Sequence, residues 1–194
     1  MSQPAGNLDV VYLGISGVLH PSESLYRLLN SRSPWSDGHE KFESVPVLEA
    51  ALRDWPEARI VVTSTLPARD GLEATLERLG ADLAQRVIGY TFEDLTTRAK
   101  RQVLNGRTAG GSRLVGYSAD DYWRMDKSSI VLAHAAWLQP RSWVAIDDED
   151  ILWPVDVRDA RLVLTDGCEG LRDRTAKVRL TEVLDANFGT APPR

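Results

Sequence analysis

The sequence predicts a three-layer, Rossmann-like α/β domain built on a parallel sheet of about five strands. Three observations predict it. Short apolar runs recur along the 194 residues and alternate with helix-like segments. The runs are rich in Val, Ile and Leu, as expected for parallel strands buried on both faces. Apolar residues make up 43% and charged residues 26%, an ordinary globular balance, and a chain of this length can build one core without covalent staples.

The elements follow in order. Residues 10–15 (VVYLGI) read as the first strand. Residues 45–55 (VPVLEAALRDW) read as a helix stopped by Pro56, because proline lacks an N–H and clashes with the preceding turn. Residues 60–64 (IVVTS) are the second strand. Residues 68–79 are helical, with Leu72, Leu76 and Leu79 on one stripe and Gly80 as the stop. Residues 87–92 (VIGYTF) are the third strand, and 93–104 a helix ending at Asn105-Gly106. Asp126 is the N-cap of a helix over 126–138. Residues 143–146 (WVAI) and 161–165 (RLVLT) are the fourth and fifth strands, and 175–188 is the last helix. Two stretches break the rhythm, 20–44 and 105–124, and loops this long in a domain are usually functional or mobile. The domain reading is therefore a single unit over 1–188. It carries a small cap or flap at about 20–44, a long loop at about 105–124, and a frayed tail at 189–194.

Composition excludes several classes. With 28 acidic against 23 basic residues the charge is -5, which argues against a dedicated nucleic-acid-binding surface. A single cysteine, Cys168, cannot form an intrachain disulfide and has no evident base partner for catalysis. His20, His39 and His134 are spaced too far apart to suggest zinc, and His134 sits mid-helix as a packed residue. No apolar run approaches the roughly 18 residues of a membrane span, and no basic-then-apolar leader opens the chain, so the expectation is a cytoplasmic protein with no membrane partner. Trp55, Trp137 and Trp143 flank predicted elements and are expected in the core; Trp35 and Trp123 lie in the two long loops.

Ligands of parallel α/β sheets sit beyond the carboxyl ends of the strands. The first run is followed by Gly14-Ile15-Ser16-Gly17-Val18-Leu19-His20-Pro21, the second by Thr65 after Thr63-Ser64, the fourth by Asp147-Asp148-Glu149-Asp150, and Lys127 opens the helix before it. This ordered set resembles the haloacid dehalogenase-like (HAD-like) superfamily of phosphohydrolases over about residues 8 to 170. That family's first motif is Asp-x-Asp-Gly after an apolar strand, in the frame of residues 14–17. The second is a Ser or Thr, matched by Thr63 or Ser64. The third is a lysine, matched by Lys127, and the fourth an acidic pair, matched by Asp147 and Asp148. WVAIDDED and the Asp166-Gly167-Cys168-Glu169-Gly170-Leu171 stretch resemble small cap-less bacterial members, some of them similar to the domain attached to RNA-repair proteins.

The resemblance implies a nucleophilic aspartate that forms an aspartyl-phosphate and binds Mg²⁺, and a second aspartate two residues on that acts as general acid and base. Here those positions are Gly14 and Ser16. Glycine has nothing to attack with, a serine hydroxyl is a poor base near neutral pH, and no neighbouring histidine activates it. Asp9 lies five residues before Gly14, about 16 Å away along an extended strand. For metal, the resemblance leaves the Ser16 carbonyl and Asp147 or Asp148, one carboxylate arm in place of two, hence at most a weak Mg²⁺ site. Thr63, Ser64 and Lys127 are the implied ligand or phosphate contacts, with Gly17 shaping the turn.

The expectation is a catalytically degenerate phosphohydrolase-fold protein that binds a small phosphorylated ligand or a protein partner. One alternative is a Mg²⁺-dependent phosphatase that uses the acidic pair, Lys127 and water without a covalent intermediate. Another is an interaction module built on the tryptophan-bearing loops.

Overall fold

A computed structural model describes residues 7–104 and 118–189. Five parallel strands form one sheet in the order β3-β2-β1-β4-β5. They are β1 (Asp9–Leu13), β2 (Arg59–Val62), β3 (Val87–Tyr90), β4 (Ser142–Asp147) and β5 (Leu162–Leu164). The chain is thus an α/β protein with the parallel sheet that its apolar runs predict. β1 lies at the centre, with Leu13 opposite Val62 of β2 and Ile146 of β4. The loop leaving β1 therefore emerges between the ends of its two neighbours.

Side chains alternate across the sheet, which explains the uninterrupted apolar runs. Val11 and Leu13 pack into one core with Ile60, Val62, Val144 and Ile146. That face is covered by the helices α2 (Val45–Leu52), α4 (Leu72–Arg86) and α9 (Arg174–Phe188), through Leu48, Leu79, Leu83, Leu180 and Leu184. Val10 and Tyr12 face the other way, with Val61 and Ala145, against Val131 and Ala135 of α7 (Lys127–Leu138) and Trp153. Asp126 caps α7 as expected, its carboxylate accepting from the Ser129 N–H at 2.8 Å. His134 is the packed histidine anticipated, hydrogen-bonded to the Tyr12 hydroxyl at 3.0 Å and to Asp94 at 2.8 Å.

Several boundaries differ from the sequence reading. β1 stops at Leu13, because the Ile15 carbonyl already accepts the Val18 and Leu19 N–H groups in a tight turn. The helix expected over 68–79 is two helices, α3 (Leu66–Asp70) and α4, separated at Gly71; α4 also runs past Gly80 with a kink there. Residues 20–44 are not a bare loop: they hold α1 (Glu23–Asn30) and a 3-10 turn at Pro34–Asp37. Helix α1 buries only Tyr26 and leaves Leu28 and Leu29 exposed, so its apolar residues do not mark an inward stripe. Similarly, α8 (Val155–Arg161) buries no residue and shows no helical apolar period. At 105–124, α5 (Thr91–Leu104) precedes the stretch and α6 (Ala119–Arg124) occupies its end, started by a Ser118–Asp121 capping box. Residues 105–117 of that stretch, and 190–194 of the expected tail, lie outside the described residues. Of the tryptophans, Trp153 is the buried one, whereas Trp137, expected in the core, is 37% exposed.

Candidate functional site

The loop after β1 is held from three sides. The Gly14 N–H donates to the Ile146 carbonyl at 2.9 Å, and the Gly17 N–H donates to that of His20 at 2.8 Å. The Thr165 hydroxyl donates to the Gly17 carbonyl at 2.7 Å. Gly17 has φ +77°, and a Cβ built there would meet Asp148 Oδ2 at 2.1 Å. Only glycine satisfies both the backbone conformation and the close approach of that carboxylate.

Beside this loop, at the end of β4, the structure brings Gly14, Lys127, Asp147 and Asp148 together. Lys127 enters from the first turn of α7, and its ammonium donates to Asp147 Oδ2 at 3.1 Å. Burial pulls the Lys127 ammonium down, but the Asp147 charge more than offsets it and holds the ammonium above the ordinary lysine range. The same Asp147 oxygen lies 2.8 Å from where a Cβ on residue 14 would sit. The space in front of position 14 is therefore filled by a carboxylate reaching over from β4.

Asp148 lies against Gly17 and Gly167. Burial, and next the Asp147 charge, push its carboxyl up to about 6, against the downward pull of Lys127. Its folded value exceeds its unfolded one, so its ionisation costs stability in full above pH 6 and nothing below about pH 4. Asp148→Asn is therefore expected to stabilise the fold by about 2 kcal/mol at pH 8 in metal-free buffer, fading to no gain near pH 4. Urea melts of both proteins at the two pH values check this; an equal gain at both would contradict it.

On the β2 side of β1 lies a cleft of about 490 Å³ whose lining includes Ser16, Ser64, Thr65, His20, Trp35 and Phe42, with the cations Arg27, Lys41, Arg69 and Arg78. Ser16 is exposed there. The Ser64 hydroxyl accepts from the Leu66 N–H at 3.1 Å. Thr63 is 1% exposed, does not line the cleft, and its hydroxyl has no hydrogen-bond partner among the described residues. Of the two second-motif candidates, then, Ser64 faces the cleft. His20 is not a plain loop residue: burial, with Lys41 and Arg78 nearby, lowers its imidazole to about 4, so it stays neutral at physiological pH. The sequence reading missed His20 and the four cations. They come from separate segments, α1, the stretch before α2, α3 and α4, and no local motif links them.

The Mg²⁺ that HAD-like domains generally use can be tested against these donors. An octahedral oxygen shell needs carboxylates free to turn towards one point. Position 14 supplies none, and Asp147 is engaged by the Lys127 ammonium. Among the described residues no three His, Cys, Asp or Glu side chains converge as metal donors. As arranged, the donors do not fit a Mg²⁺ shell.

The family model described as "HAD domain in Swiss Army Knife RNA repair proteins" matches residues 10–176. No curated protein and no solved structure matches the chain.

Proposed function

Since the chain belongs to the family of HAD domains found in Swiss Army Knife RNA repair proteins, we propose that it is a degenerate member of that fold: it holds a small phosphorylated ligand and does not form the covalent phospho-enzyme. One observation carries this reading. The carboxylate of Asp147, paired with Lys127, stands 2.8 Å from where the Cβ of a residue-14 nucleophile would be; Val18 and the Ile146 carbonyl close the rest at 3.0 and 3.1 Å. The position lacks both the attacking group and the room for one. Ser16, in the acid–base position, is an exposed hydroxyl that lines the cleft, suited to hydrogen-bonding an anion rather than to accepting a proton.

A second reading has an observation in its favour. Asp148, with its carboxyl raised to about 6, could exchange a proton near neutral pH, as a phosphatase working through water would require. One experiment separates the two. Phosphate release from a panel of phosphomonoesters is measured with and without Mg²⁺ for wild type, for Asp147→Asn/Asp148→Asn and for Gly14→Asp/Ser16→Asp. The expected result is no turnover in the first two and slow, Mg²⁺-dependent turnover in the third, slow because Asp147 must swing away to admit a side chain at 14. Wild-type turnover that the asparagine pair abolishes would establish the phosphatase and end the degenerate reading.

A further inference from the structure

We infer that the cleft takes a phosphomonoester whose organic part carries a flat aromatic ring, with that ring packed against Trp35; this rests on the phosphate-binding reading above and narrows it. The charge of the cleft comes first. Four cations line it, Arg27, Lys41, Arg69 and Arg78. Glu23, also in the lining, pairs with Arg27 at 2.8 Å, and Asp70 pairs with Arg69 at 2.7 Å and with Arg78 at 3.7 Å. Four cations against two carboxylates leave two positive charges. A single phosphate ester, which carries close to two negative charges above neutral pH, matches that balance. His20 does not alter it, because its imidazole is neutral there.

Volume then asks for more than a phosphate. The cleft holds about 490 Å³, inside the range of roughly 300–1,000 Å³ usual for sites that take small organic molecules. A bare phosphate fills a minor part of that, at the strand ends where Ser16, Ser64 and Thr65 offer hydroxyls to its oxygens. Most of the cleft therefore faces the rest of the ligand.

That remaining surface is rich in rings. The Trp35 and His20 ring centres are 5.8 Å apart with planes tilted by 53°, and those of His20 and Phe42 are 5.2 Å apart and tilted by 47°. None of the three is stacked face to face on another, so their π surface is not spent among themselves. Phe42 is buried and backs the wall, whereas Trp35 is half-buried and presents it. The Trp35 indole N–H donates to Glu23, so the ring is oriented before anything binds and little freedom is lost on contact. Lys41 lies 5.7 Å from the centre of the Trp35 ring, and Arg78 5.9 Å from that of Phe42. Cations and aromatic wall thus adjoin, and a phosphate and a ring joined by a few bonds meet both at once.

Isothermal titration calorimetry on the full chain, metal-free, at pH 8 and matched ionic strength, tests this. The probes are orthophosphate, adenosine and three esters of equal charge: ribose 5-phosphate, phenyl phosphate and adenosine monophosphate. Phenyl phosphate or adenosine monophosphate should bind about tenfold or more tightly than ribose 5-phosphate, a difference of about 1.4 kcal/mol, as stacking on an aromatic side chain supplies. Phenyl phosphate leading would set the ring on the phosphate itself; adenosine monophosphate leading would set it one sugar away. Trp35→Leu keeps an apolar wall without a π face and should bring the ratio below about threefold, while Trp35→Phe should keep most of it. The ratio is read within each protein, so a variant that weakens every ester alike does not imitate loss of the ring contact. Ring esters no tighter than ribose 5-phosphate in wild type, or a ratio that survives Trp35→Leu, would overturn the inference; the wild-type comparison decides alone should the variants fold poorly. Phosphate binding that persists in that outcome leaves the broader reading standing. No binding of any phosphorylated probe, or adenosine binding as tightly as its monophosphate, removes both.

Discussion

Lys127→Met is expected to destabilise the fold by about 3 kcal/mol at pH 8, with the loss shrinking towards pH 4. The Asp147 side chain is 6% exposed and the Lys127 side chain 24%, so the pair sits where solvent screens it poorly. Removing one partner of such a pair leaves an uncompensated charge, which costs about 3–5 kcal/mol when burial is complete; the lower end suits a lysine that water still reaches. Two carboxylates, Asp147 and Asp148, would then adjoin with no cation between them. Lys127 is the cation that pulls Asp148 down, so without it the Asp148 carboxyl climbs further above its unfolded value. A raised carboxyl costs stability above its folded value and ceases to do so as the pH falls through it, which sets the direction of the recovery. Urea denaturation at pH 8, 6 and 4.5 reads the effect. At pH 8 the melting temperature should fall by roughly 6–12 °C for a chain of this size. Lys127→Met/Asp147→Leu should recover most of the loss, since it removes the stranded charge as well. A deficit below about 1 kcal/mol, or one that does not change with pH, would show that the pair is solvated and does not organise the site.

Gly170→Ala is expected to cost about 3 kcal/mol or more and to disturb the loop after β1 although it lies far along the chain. Gly170 has φ +57°, and a Cβ there would lie 2.3 Å from the Val18 carbonyl oxygen. That oxygen accepts the Leu171 N–H at 2.8 Å, so the clash is with backbone that is itself hydrogen-bonded and cannot rotate away. Relief requires the turn carrying Gly17 and Val18 to move off the end of β5. Gly38→Ala supplies the comparison: φ is +88° there, but nothing lies within 4 Å of the added Cβ. Gly38→Ala should show the conformational penalty alone, about 1 kcal/mol. The difference between the two variants in chemical denaturation isolates the clash. Equal losses would mean that the 166–170 turn and the β1 loop are not locked together as the structure shows.

The sheet was legible because a parallel strand buried on both faces must be apolar throughout, and residues 10–13, 60–62 and 144–146 are. Helices that bury a stripe, such as α9, were legible for the same reason. Helix α8, which buries no residue, was not, and neither was α1, whose apolar stripe of Leu25, Leu28 and Leu29 is short and faces largely outwards.

The order of Gly14, Ser64, Lys127 and Asp147, and the loss of acids at 14 and 16, could be read directly, because each group sits at a strand end or opens a helix. The sheet, the family frame and the missing nucleophile are therefore written in the residue order. What fills the vacated space, and what surrounds it, follows from the three-dimensional fold. It turns Asp147 towards Lys127 in front of Gly14, and gathers Arg27, Lys41, Arg69 and Arg78 around one cleft. The physical reason is that an ion pair or a field depends on distances through space. Residues 127 and 147, or 27 and 78, become neighbours only when β1 is laid between its partners.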